Sequence, residues 1–173
     1  MSETTPVRIL GLDPGLQIAG YGVLEVAQTG PIVCEAGVIK GTDSGRSKAD
    51  MARRLTNLYT GIVEVMEQYR PAAMAVEQLY AHYQHPRTAI LMAHARGVIL
   101  LAAALRGVPV VSYAATAVKK TVTGSGRASK EQVQHVIQRE LGLARLPEPP
   151  DVADALAVAL CHYHTHQERP ARQ

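Results

Sequence analysis

Residues 7–12, Val-Arg-Ile-Leu-Gly-Leu, form a short and almost continuous apolar run that stops at Asp13-Pro14-Gly15. Buried central strands read this way, and Pro-Gly marks the turn that follows. Residues 20–26 and 32–39 are two further strands linked by Thr29-Gly30-Pro31, so the chain opens as an antiparallel meander. The period then changes. Met51, Leu55, Leu58, Ile62, Val65 and Met66 recur at three- and four-residue spacing, predicting an amphipathic helix over 47–69 that Pro71 ends. Residues 73–77, Ala-Met-Ala-Val-Glu, are a buried strand with a carboxylate at its last position.

A second helix over 87–106 is apolar around much of its circumference, as in a helix sandwiched in a core or covered by another subunit. A strand over 108–113 and a short helix over 114–122 follow. Thr123-Gly124-Ser125-Gly126-Arg127 is a loop, and Ser129 with Gln132 fits a capping box opening the next helix. Leu146-Pro147-Glu148-Pro149-Pro150 is a rigid linker into a last helix over 151–164. This order predicts an α/β fold: a five-stranded mixed sheet with helices on its faces. With 173 residues, the chain suits one domain, its core at about 7–165 between polar tails.

Eighteen Lys and Arg against fifteen Asp and Glu leave a formal charge of +3, which permits a nucleic-acid partner without demanding one. Cys34 and Cys161 stand far apart, which excludes a disulfide framework and favours a reduced, cytoplasmic chain. In the run Cys161-His162-Tyr163-His164-Thr165-His166, two histidines lie one turn apart, but no second ligand pair has structural-zinc spacing. A frayed polar helix end is the expectation there. No basic-then-apolar N-terminal signal is present, and the apolar stretch over 97–105 is shorter than the ~20 residues of a bilayer span. A soluble protein without a membrane partner is expected.

The candidate chemistry lies in four carboxylates. Asp13 and Glu77 each end an apolar strand, where ligand crevices form on such sheets. Asp13 is the least secure of them, because an Asp before Pro-Gly is also an ordinary turn former. Asp151 and Asp154, three residues apart at a helix start, project from one face. A dipole-complementing acid explains Asp151 well. Asp154 fits that explanation poorly, because Val152, Ala153, Ala155, Leu156 and Ala157 make its turn look buried. With no matching interior basic residue in view, the parsimonious partner is a hard divalent cation, Mg2+ or Mn2+. Two such ions ~4 Å apart would suit phosphodiester hydrolysis.

The strings themselves carry a resemblance. Ile9-Leu10-Gly11-Leu12-Asp13-Pro14-Gly15 with Gly20-Tyr21-Gly22-Val23, then Ala75-Val76-Glu77-Gln78-Leu79-Tyr80 and Ala95-Arg96-Gly97-Val98, occur in order along the chain. Tyr113-Ala114-Ala115 through Val118-Lys119-Lys120-Thr121-Val122-Thr123-Gly124, Lys130-Glu131-Gln132-Val133-Gln134, and Asp151-Val152-Ala153-Asp154-Ala155-Leu156-Ala157 complete the set. From about residue 8 to 164 the chain resembles the RuvC family of Holliday-junction resolvases. The resemblance implies an RNase H-like fold and a symmetric homodimer that nicks two like-polarity strands of a four-way DNA junction. It further implies a branch-migration complex of the RuvA and RuvB type as partner. It places the metal-binding catalytic acids on Asp13, Glu77, Asp151 and Asp154, a base-stacking aromatic on Tyr80, and DNA-contacting lysines on Lys119 and Lys130. Arg127, close to Lys130 in the Gly-rich loop, is a further candidate for phosphate contact.

Three other readings compete. A YqgF-type RNA-processing nuclease shares the Asp-Pro-Gly-like opening but is shorter and lacks the 119–130 block in this form. An actin-like ATPase needs paired domains for which this chain is too short. A junction-binding protein without catalysis is disfavoured by the intact set of acids.

Overall fold

The computed structural model describes residues 6–42, 50–79 and 86–167. Strands β1 (Arg8–Asp13), β2 (Ile18–Ala27) and β3 (Gly30–Lys40) pair antiparallel in sequence order. Strand β4 (Ala73–Glu77) runs parallel to β1 on its other side, and β5 (Val110–Tyr113) runs parallel outside β4. The sheet order is β3-β2-β1-β4-β5, the five-stranded mixed sheet that the sequence predicts, with β1 at its centre.

Alternation along the strands divides the core in two, because successive side chains point to opposite faces. Leu10, Leu12, Met74 and Val76 pack with helices α1 (Met51–Tyr69) and α2 (Pro86–Leu105) on one face. Ile9, Leu24 and Ala75 pack on the other face with α3 (Ala115–Thr123), α4 (Lys130–Glu140) and α5 (Pro150–Gln167). Helix α1 buries Leu58, Ile62, Val65 and Met66 and closes at Arg70, whose left-handed backbone lets its N–H reach the Met66 carbonyl. Residues 47–49, included in the predicted helix, lie outside the described residues.

Helix α5 approaches the sheet unusually closely. A Cβ on Gly11 would lie 2.1 Å from the Ala155 carbonyl oxygen, and one on Gly20 2.0 Å from that of Asp151. On Gly22, the register partner of Gly11, it would meet Leu156 Cδ2 at 2.5 Å. These glycines leave the space into which the helix backbone settles.

Two expectations are corrected. Residues Cys161, His162 and Tyr163 are buried rather than frayed, because α5 continues to Gln167 between the sheet and helices α3 and α4. Buried His162 is matched by the Tyr113 hydroxyl, 2.8 Å from Nδ1, and its ring stacks on His166. Burial first, and then His166, lowers the His162 pKa to about 4, so the ring is neutral at neutral pH. Helix α2 is also longer than the apolar run 97–105. It is the single helix among the described residues long and apolar enough to cross a membrane. Its length comes from including polar positions such as His94 and Arg96, and one side of it, Ala95, Ile99, Ala102 and Ala103, is core.

A Gly11→Ala substitution therefore sets a methyl group against a helix carbonyl that cannot rotate away. We expect a loss of about 1–3 kcal/mol through overpacking, read as a lower melting temperature.

Candidate active site

Parallel pairing of β1 with β4 matches Leu12 to Val76, so Asp13 and Glu77 stand one step further on, at neighbouring strand ends. Both share the parity of Gly11 and Ala75, which directs their side chains to the α5 face. On the other side of Asp13 its β2 partner is Gly20, the residue over which the Asp151 backbone sits. The first turn of α5 is thereby set beside Asp13, and Asp154 follows on the same helix face. All four acids line one cleft of about 340 Å³, together with Lys119, Lys130, Met92, Val118 and Val133.

Burial is the first cause of the cleft's electrostatics. It raises the Asp13 carboxyl from an ordinary 3.8 to about 8, reinforced by Asp154, Asp151 and Glu77 and opposed by Lys130. Burial also raises Glu77, with Asp154 adding to the shift and Lys130 and Lys119 opposing it. The acid that looks most like a plain turn former in the sequence is thus the most perturbed. Asp154 is only partly covered, its side chain 28% exposed toward the cleft although Ala153 and Ala155 are buried.

The basic group beside the acids is a surface one, as the absence of an interior basic residue in the sequence leads one to expect: Lys130 Nζ lies 3.4 Å from Asp154 Oδ2. Asp154 is also the main cause of the raised Lys130 pKa. The predicted capping box is present: Gln132 N–H donates to Ser129 Oγ at 3.2 Å, and Ser129 N–H donates to Gln132 Oε1 at 2.8 Å. It fixes the helix start from which Lys130 reaches the acids. Pairing with Asp154 offsets the unfavourable placement of a cation at a helix N-terminus.

The structure separates the two adjacent lysines. Lys119 lines the acid cleft, whereas Lys120 lines a groove with Glu140 and His164. Arg127 is exposed on its loop and does not line the cleft; its own N–H donates to Ser125 Oγ at 3.3 Å. Tyr80 lies outside the described residues. Two contacts near Glu77 have no forewarning in the sequence. One is the Tyr113–His162 bond beside it, and the other is Arg96, which donates to the Glu77 carbonyl oxygen at 2.8 Å.

Among the described residues no three His, Cys, Asp or Glu side chains close into a metal-holding group. The donor chemistry nonetheless fits a hard cation. Four carboxylates line one cleft with Lys130, whose side chain is 74% exposed, and burial first, then repulsion from neighbouring acids, raises the Asp13 and Glu77 pKa values. Oxygen-only donors suit hard divalent cations over softer metals.

The family model described as "Crossover junction endodeoxyribonuclease RuvC" matches residues 9–162. A protein of that name from Rhodopirellula baltica is 51% identical over 90% of this chain and 85% of its own length. The Moorella thermoacetica protein of the same name is 49% identical over 89% of each chain. Among solved structures, Thermus thermophilus RuvC in complex with a Holliday junction substrate superposes with a TM-score of 0.84 at 32% identity. That match covers 94% of this chain and 96% of the other.

Asp13 gives a pH signature in the metal-free protein. Its folded carboxyl keeps a proton up to about 8, while the unfolded one releases it near 3.8. Folding stability from this group is therefore unaffected below the lower value and is lost progressively as pH rises to the upper one. In EDTA, Asp13→Asn should melt above the parent protein by a margin that widens from pH 5 to pH 8. A margin that stays flat across that window would contradict the assignment.

Proposed function

The chain belongs to the crossover junction endodeoxyribonuclease RuvC family, and on that premise we propose that it resolves four-way DNA junctions by paired, metal-dependent nicks. The nicks fall in two strands of like polarity, in recombination and repair. The observation that carries this reading is the meeting of Asp13, Glu77, Asp151 and Asp154 with Lys119 and Lys130 in one cleft.

Each residue has a role that its position supports. The four carboxylates hold Mg2+, with Mn2+ as a substitute, and their number and spread over β1, β4 and α5 suit a pair of ions. Bound divalent ions supply an activated water and charge stabilisation for the leaving oxygen of a phosphodiester. Lys119 and Lys130 bring positive charge to a phosphate that the acids alone would repel. In the free protein Lys130 neutralises part of the cluster, and its exposed ammonium is free to turn toward the DNA backbone. Tyr80, three residues beyond Glu77, offers a stacking face worth about 1–3 kcal/mol per base. Arg127, exposed outside the cleft, is suited to a phosphate further along the arm.

Resolution needs two clefts, and α2 supports a symmetric homodimer. Ile90, Leu101 and Leu105 are 56%, 54% and 64% exposed along it, and Gly97 between them has open space above its Cα. Such a stripe marks an interaction surface, and a second copy would cover it isologously. A branch-migration complex of the RuvA and RuvB type would deliver the junction in the cytoplasm, a compartment compatible with the free thiols Cys34 and Cys161.

An immobile four-way junction incubated with the protein and Mg2+ or Mn2+ should give symmetric nicks. Cutting of RNA or plain duplex in preference to the junction would instead favour an RNA-processing nuclease of the same fold. Asp13→Asn and Glu77→Gln should each retain junction binding in a gel-shift assay while cleavage falls by at least about 100-fold; equal loss of binding would make these acids structural. Leu101→Glu, at an exposed position, should leave the melting temperature nearly unchanged and convert the dimer to a monomer by sedimentation at micromolar concentration. A parent protein that is already monomeric there would count against the dimer.

A further inference from the structure

We propose that Arg96 is a positioning residue for Glu77, a strut through which α2 fixes the end of the catalytic strand. This rests on the nuclease reading of the cleft given above.

Arg96 stands near the middle of α2 and is half-buried. Its guanidinium spans two strands: Nη1 donates to the Glu77 carbonyl oxygen at 2.8 Å, and Nη2 donates to Ser112 Oγ at 2.6 Å. Glu77 is the last residue of β4, and Ser112 precedes the last residue of β5. Just past the end of β4 the Gln78 N–H donates to the Tyr113 carbonyl. Arg96 therefore clamps two parallel strands where the ladder stops holding them.

Its direction of approach sets its role. Helix α2 packs with Leu10, Met74 and Val76, on the face opposite the one to which Glu77 sends its carboxyl group. Arg96 does not line the acid cleft, and among the described residues it makes no ion pair. It acts on the main chain of Glu77 from behind the sheet and leaves the carboxylate free for the reaction face. Only a planar fork can hold both acceptors at once; a lysine at this position keeps the charge but presents one point donor. The same helix carries the exposed stripe of Ile90, Leu101 and Leu105, so one rigid element joins that surface to Glu77.

The test uses full-length Arg96→Lys and Arg96→Met beside the parent protein and Ile99→Val, a buried α2 control that leaves the clamp intact. Junction affinity, oligomeric mass, single-turnover cleavage at saturating enzyme and the Mg2+ concentration for half-maximal rate are measured. Both Arg96 variants should keep junction affinity and mass. Their single-turnover rate should fall about 10- to 100-fold, the scale of a small misplacement of a reacting group, and the Mg2+ midpoint should rise. If Arg96→Met does not fold, Arg96→Lys decides alone. Unchanged rate and midpoint in a folded Arg96→Lys would overturn the proposal, as would an equal rate loss and midpoint shift in Ile99→Val. A parent protein that leaves the junction uncut would instead overturn the nuclease reading.

Discussion

Helix α5 lies with its backbone almost against the sheet, seated over Gly11, Gly20 and Gly22 where any side chain would collide with it. The rest of the site depends on this contact. Asp13 and Glu77 are brought together by strand pairing alone, but Asp151 and Asp154 reach them only because the helix descends to the floor that the glycines leave. Packing and chemistry meet in the same residue, since the carbonyl oxygen nearest Gly20 belongs to Asp151. Small residues in a central strand weaken it and give up apolar area, and here the lost area is replaced by the buried face of α5, from Val152 to Leu160.

Close seating has an electrostatic cost. Four carboxylates share one cleft with two lysines, and burial, reinforced by the acids' mutual repulsion and only partly opposed by the lysines, raises the Asp13 and Glu77 pKa values. A fold selected for stability alone would not keep this arrangement, and strained or repelling groups concentrate where proteins act. Lys130 relieves part of the repulsion from outside, tethered to the helix start that the Ser129–Gln132 box secures.

Much of this architecture was legible before any coordinates. Apolar runs, alternation and helical period place the five strands and the helices to within a few residues. The acids were legible too, since a carboxylate at the end of an apolar strand or on an alanine-rich turn is locally anomalous. Contacts between distant parts of the chain were not. Lys130 meets Asp154 and Arg96 meets Glu77 only through the packing of α4 on α5 and α2 on the sheet, and no local pattern encodes either. The raised Asp13 carboxyl is not legible for the same reason: after burial, its causes are Asp154 and Asp151 on α5, far along the chain. The histidine-rich end of α5 looked polar because its partner, Tyr113, lies on another element.

The raised Asp13 carboxyl also has a thermodynamic meaning beyond stability. At neutral pH the metal-free Asp13 carboxyl retains a proton that solvent would take from an ordinary aspartate. Cation capture by such a site is an exchange, with protons expelled as charge enters. Its apparent affinity then rises with pH although no histidine lines the cleft among the described residues, and the heat of binding carries the ionisation enthalpy of whichever buffer accepts the protons.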